Sequence, residues 1–257
     1  MTVLPPDLAE RLAAARSAVA AADSRFGTST PRRPLETLPG LGGLLPAGAL
    51  HTGAVYSVLG SVTLATALLA GPSAAGEWCG VVGVPGFGAE AAAGMGVDLS
   101  RTVLVPDPGP DPVGVVDALV GALTVVLVGL PGRVAPGEAN RLTARLRQRG
   151  AALVVHAPHS ASAAWPQTEA QLTVTGGEWR GLGEGHGHLA GRIAEVAVQG
   201  RRSGRAQRTR LWLPDAEGRV RPVLETAQAA QGPRATQAPQ AAPQAGSLAA
   251  PLVRAAG

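Results

Sequence analysis

The sequence predicts an α/β fold, a mostly parallel sheet flanked by helices with antiparallel strands toward its C-terminal end. Three observations carry this. From about residue 38 onward, short continuous runs of valine, leucine and alanine alternate with helix-patterned segments, as in strands buried on both faces. After Trp165 the strand-like runs follow one another with no helical pattern between them, which is how a meander reads. Glycine and proline number 35 and 22 among the 257 residues, enough for the turns that so many short elements need.

In chain order, Pro5-Pro6-Asp7 starts a helix whose apolar residues Leu8, Leu12, Ala15, Val19, Ala22 and Phe26 recur at steps of four and three, one stripe of a helix face. That stripe needs something to pack on, either its own domain or a partner. Gly27 to Pro34 is a polar, proline-containing linker, so residues 1–34 stand apart from a core over 35–224. Within that core the expected strands are Ala54–Leu59, Cys79–Val84, Thr102–Val105, Thr124–Val128 and Ala152–His156. The helices between them are expected over Val62–Leu69, Ala89–Met95, Val113–Ala122 and Pro136–Arg149. The meander is expected over Gln171–Thr175, Ile193–Val198, Arg208–Leu213 and Val220–Leu224. Residues 225–257 are alanine, glutamine, proline and glycine, with few large side chains before Leu248, Leu252 and Val253. Such a composition does not bury enough apolar area to offset its ordering entropy, so this tail is expected to be disordered. Its small apolar cluster and the striped helix are the two candidate partner-docking segments.

Composition excludes several classes. Apolar residues are 46% and charged residues 16% of the chain, so a sizeable core can form. The chain contains no lysine, so its 22 basic residues are all arginine, and the net charge is +4. That balance permits contact with nucleic acid without arguing for it. One cysteine rules out an internal disulfide framework and a cysteine-based zinc site, and fits a reducing cytoplasm. The N-terminal segment has no apolar signal core, and the run Ala54 to Ala70 is polar-interrupted and too short to span a bilayer. A cytoplasmic protein with no membrane contact is expected.

Catalytic constellations are sought at the carboxyl ends of the strands, where α/β sheets bind ligands. The loop after the first strand, Gly60-Ser61-Val62-Thr63, has one glycine and no lysine, whereas a P-loop needs several glycines, a lysine and a Ser/Thr. Gly83 to Gly88 lacks the glycine order and the later acidic residue of a dinucleotide site. His186 and His188 near Glu184 lack a third ligand at fixed spacing. His156 and His159 have no acidic neighbour, and Cys79 reads as a small core residue. Ser57, Ser61 and Ser160 sit in no nucleophile elbow. No catalytic residue, metal or cofactor is expected. The densest charge feature is Arg201, Arg202, Arg205, Arg208 and Arg210, read as a hairpin turn that presents guanidinium groups suited to phosphate.

Gly40-Leu41-Gly42-Gly43-Leu44-Leu45-Pro46-Ala47-Gly48, followed by a strand, a short loop and a helix, resembles the approach to the core of a RecA-type recombinase, where such a turn leads into the P-loop strand. The similarity continues through Trp78-Cys79-Gly80-Val81-Val82 and Met95-Gly96-Val97-Asp98-Leu99-Ser100-Arg101, and covers about residues 38 to 223. The resemblance implies a RecA-like sheet. It also exposes three departures. The P-loop lysine is missing. The second strand runs into Gly83, Val84 and Pro85 where the family has a water-activating acid, and Val125–Val128 ends in Gly129 where the family has a magnesium-holding aspartate. A RecA-like chain without a P-loop resembles the ImuA and ImuA-prime adaptors of the bacterial mutasome. It then implies a non-enzymatic role in SOS-linked translesion synthesis, with an ImuB-like Y-family polymerase homologue as partner, and with DNA contact and self-association as further options. A SulA-like inhibitor of cell division and a recombinase-type ATPase with an unrecognised loop are the alternatives.

Overall fold

The computed structural model describes residues 31–130, 132–157, 165–182, 186–201 and 206–223. The striped helix, the tail, and part of the arginine cluster lie outside these residues. A nine-stranded sheet has the order β11-β10-β9-β8-β3-β7-β6-β4-β5. Its strands are β3 (Val55–Leu59), β4 (Cys79–Val82), β5 (Thr102–Val105), β6 (Val125–Gly129), β7 (Ala152–Ala157), β8 (Ala170–Leu182), β9 (Gly187–Gly200), β10 (Gln207–Trp212) and β11 (Arg221–Pro222). From β8 across to β5 every pairing is parallel, and β8-β9-β10-β11 is antiparallel. The predicted α/β architecture, a mostly parallel sheet with antiparallel C-terminal strands, is therefore the observed one.

Helices cover both faces. On one face α2 (Val62–Ala74) and α3 (Ala89–Gly94) pack with Tyr56, Val58, Val81, Leu127 and Val154, and the same core continues onto Leu172, Val196 and Leu211 of the antiparallel strands. On the other face α4 (Pro112–Leu119) and α5 (Pro136–Arg149) pack Val116, Leu142 and Leu146 onto Val55, Val126, Leu153 and Val155. Every residue of β3, β4 and β6 is buried, which is why their sequences read as unbroken apolar runs.

The N-terminal part of the described chain seals the first face. A small antiparallel pair, β1 (Pro34–Leu35) with β2 (Leu50–His51), flanks a single-turn helix α1 (Pro39–Gly42) that packs against β11, while Glu36 and Thr37 cross α2. Leu35, Leu41, Leu44 and Leu45 join the core there. The approach is close enough that a Cβ on Gly71 would fall 2.8 Å from Thr37 Cα. Arg33 anchors the segment through Glu77 at 2.8 Å, and Thr124 donates to the same carboxylate at 2.7 Å. Burial of Glu77 works against its charge, but the Thr124 and Arg33 contacts outweigh it and lower its pKa.

Three boundaries differ from expectation for identifiable reasons. The helix expected to stop at Leu69 runs to Ala74, straight through Pro72. The residue before a proline is normally pushed out of helix by its own Cβ, and here that residue is Gly71. Leu64 through Ser73 are all buried, so packing on both sides holds the turn. The strands expected over 171–175 and 193–198 instead form a long hairpin, β8 to Leu182 and β9 from Gly187, whose far half is largely exposed. Its glycines read as loop in the sequence, yet two register shifts, at Val174/Gly176 and Arg180/Leu182, let the ladder continue past them. Finally, the expected last strand over 220–224 is reduced to two residues. Among the described residues no helix is long and apolar enough to cross a membrane.

Candidate functional site at the carboxyl edge of the parallel sheet

The first strand end is where a phosphate loop would lie. Leu59 closes β3, Gly60 turns with φ +71°, and Ser61 already caps α2. Two residues therefore join strand to helix. The Gly60 N–H donates to Ala157 O at 2.9 Å, so β7 consumes it. Ser61 accepts from Leu64 N at Oγ (3.1 Å) and from Ala65 N at its carbonyl oxygen (3.1 Å). Leu64 N–H, one of the N-terminal groups that a helix offers an anion, is thereby satisfied by the cap, and the Ala65 bond is the first regular turn of the helix.

The next two strand ends are locked together. Val82 pairs Val128, which brings Gly83 and Gly129 side by side. A Cβ on Gly129 would fall inside the Gly83 carbonyl oxygen and 2.9 Å from its carbonyl carbon. Gly83 itself has φ +57°, and a Cβ there would meet Pro108 Cγ at 2.9 Å. Backbone bonds hold both in place: Gly83 N donates to Val105 O at 2.8 Å, and Leu130 N to His156 O at 3.0 Å. An acidic side chain at either position has no volume to occupy. The glycines are not merely non-acidic: Gly129 is required by the close approach of the Gly83 carbonyl, and Gly83 by its left-handed backbone and by Pro108.

His156 continues the same row, opposite Gly129 on one side and Val58 on the other. Burial lowers its pKa, which keeps the ring neutral near pH 7. A neutral ring does not supply the positive charge that a phosphate-binding lysine would. Beside α2 lies a cleft of about 220 Å³ lined by Val62, Thr63, Thr66, Ala91, Met95 and Pro214, among others. None of its described lining residues is charged, and the Thr66 hydroxyl is spent on Val62 O at 2.9 Å. This cleft is smaller than ordinary small-molecule pockets and offers nothing to a triphosphate.

The sequence-nominated residues fall in different places. Arg201 is exposed just past β9, but Arg208 and Arg210 belong to β10 and not to a turn. The reading of these as one hairpin-turn cluster is corrected accordingly, because the ladder with β9 already begins at Gln207. Arg208 also meets Glu195 at 3.5 Å. Arg202 and Arg205 lie outside the described residues, as do Leu8, Leu12, Val19, Phe26, Leu248, Leu252 and Val253. Cys79 is fully buried in β4, and burial pushes its thiol pKa up to about 12, as suits a core residue. Among the described residues no three His, Cys, Asp or Glu side chains converge. Sequence reading missed one grouping: Arg32, Arg147 and Arg201 line a common cleft at the amino edge of the sheet. No local pattern signals it, since the three are far apart in the chain.

Residues 43–167 match a family model described as the MT3502 N-terminal domain. The matched stretch takes in β3 through β7, and so both locked strand ends. A protein named "Uncharacterized protein Rv3395c" from Mycobacterium tuberculosis (strain ATCC 25618 / H37Rv) is 42% identical over 117 residues, which is 44% of this chain and 57% of that protein. In its parallel-sheet region the chain is thus similar to the MT3502 N-terminal domain and to that mycobacterial protein.

Proposed function

We propose that this chain is a non-catalytic adaptor on a RecA-like sheet, acting in SOS-linked translesion synthesis by binding an ImuB-like Y-family polymerase homologue. One observation carries the reading: Pro108 at Gly83, and the Gly83 carbonyl at Gly129, fill the two strand ends where a RecA-type ATPase needs carboxylates. The two-residue turn at Gly60-Ser61 supports it, because a cradle for phosphates needs several free backbone N–H groups. What remains is a rigid sheet, which suits a protein whose work is to hold others. The striped helix and the apolar end of the tail are the docking candidates, each able to present one short apolar face.

Co-purification tests this. Full-length protein should retain an ImuB-like partner, and deletion of residues 1–30 or 225–257 should abolish retention in at least one case while circular dichroism stays unchanged. Absence of any retention by the full chain would count against the adaptor role. Retention by both truncations would move the docking surface onto the sheet domain.

A further inference from the structure

We infer that the amino edge of the sheet carries a nucleic-acid backbone site built from Arg32, Arg147 and Arg201. The site deepens the adaptor reading by giving it a DNA contact, at the opposite edge from the closed strand ends. Arg32, from the segment before β1, pairs with Glu169 at 3.3 Å. Arg201 follows β9 and is fixed there by its N–H to Glu169 O at 2.9 Å. Arg147 projects from α5, and its stem lies over Gly53, where a Cβ would stand 3.0 Å from Arg147 Cγ. Gly53 has φ +72°, so a residue free of Cβ both makes the turn and leaves room for that stem. Three arginines and one carboxylate line the cleft, a surplus of two positive charges, with Thr143, Gln167 and Thr168 beside them.

The cleft is shallow and open to solvent, with interior room for about one water-sized group. An anionic ligand that runs past along the surface, as a phosphodiester chain does, can set an oxygen against its arginines. The neighbouring surface fits that path. Leu211 faces the α2 core, so Arg208 and Arg210, of opposite parity on β10, face the side that carries α5. Gln171, Thr173 and Gln199 lie on that same side by the ladder register. Nearest the cleft the strip is polar and arginine-bearing; Glu195 stands opposite Arg210, and Trp212 and Ile193 follow farther along the same side. The groups at the cleft itself are guanidinium, hydroxyl and amide side chains, so recognition there is of charge and backbone and not of sequence.

Fluorescence anisotropy of the full chain with a mixed-sequence single-stranded oligonucleotide tests the site, beginning at about 50 mM salt. Two charge-matched double variants are compared: R147Q/R201Q at the proposed site and R133Q/R219Q at exposed positions elsewhere. Arg32 is left in place to keep its pair with Glu169. R147Q/R201Q should weaken binding at least tenfold and reduce the log–log salt slope by about 1.4, two phosphates at roughly 0.7 each. R133Q/R219Q should bind as wild type. The site is wrong if wild-type protein retains no oligonucleotide, or if both doubles lose affinity equally. It is equally wrong if polyglutamate or inorganic phosphate at matched ionic strength displaces the strand completely. Polymerase co-purification is a separate readout, so loss of the partner with DNA binding intact would sink the adaptor reading and not this one.

Discussion

Gly129→Ala should lower the melting temperature by roughly 6 to 12 °C, from about 3 kcal/mol of destabilisation at some 2–4 °C per kcal/mol for a chain this size. One methyl group carries this cost because its nearest neighbours are the Gly83 carbonyl carbon and oxygen. Backbone atoms in a buried strand end do not swing aside as a flexible side chain would. Either β4 and β6 separate at their ends or the methyl is driven into the carbonyl. The first opens the end of the β4–β6 ladder beside Val82 and Val128, and the second is steric overlap. Gly129→Asp should cost more, since a charge would then be buried without a partner. Gly43→Ala is the control: φ there is −64° and a Cβ would meet nothing within 4 Å. Its melting temperature should stay within about 2 °C of wild type, as for an ordinary surface change. Equal behaviour of the Gly129 and Gly43 variants in a thermal melt would mean the strand ends are open.

Asp215→Ala should cost about 2–3 kcal/mol, the penalty for stripping a charged acceptor from its donors. Asp215 is buried, and its Oδ1 accepts from Glu217 N at 2.9 Å and Arg219 N at 2.8 Å. Its other oxygen pairs with Arg221. These contacts shape the turn from β10 to β11, which Gly218 completes at φ +78°. Burial alone would raise the carboxyl pKa. The two backbone N–H groups and Arg221 outweigh that effect, and the net shift is downward. A carboxyl with a depressed folded pKa stabilises above its unfolded value of about 3.9 and loses that contribution as pH falls through the lower folded value. Wild-type stability should therefore decline below about pH 4 in part through this group, and Asp215→Asn should show a shallower acid dependence in urea melts. An unchanged acid limb in that variant would show that the carboxylate is not engaged.

Much of the parallel sheet was legible because its chemistry is local. Thr102–Val105 and Pro136–Arg149 occupy the spans their sequences predict. In the second, proline sits at the start, arginines lie in the last turn, and Gly150 closes it in the left-handed region. The β8–β9 hairpin was illegible for the opposite reason. Gly176-Gly177 carries no strand propensity, and only the partner strand keeps it extended. The carboxyl edge was half legible. The missing lysine and acids were plain from the sequence, whereas the crowding of Gly129 by the Gly83 carbonyl depends on two strands 46 positions apart becoming neighbours. The arginine cleft is of the same kind. Arg32, Arg147 and Arg201 come from a linker, a helix and a strand end, and nothing in their spacing brings them together.

The central claim is that among the described residues the carboxyl edge offers no cradle for a nucleotide, and a thermal shift with magnesium and ATP tests it most directly. A ligand that binds the folded state must stabilise it by mass action, by about 2.7 kcal/mol at a hundredfold excess over Kd. With ATP raised into the millimolar range at constant ionic strength, the account predicts an unchanged melting temperature. A dose-dependent rise would contradict it and favour a nucleotide-dependent enzyme.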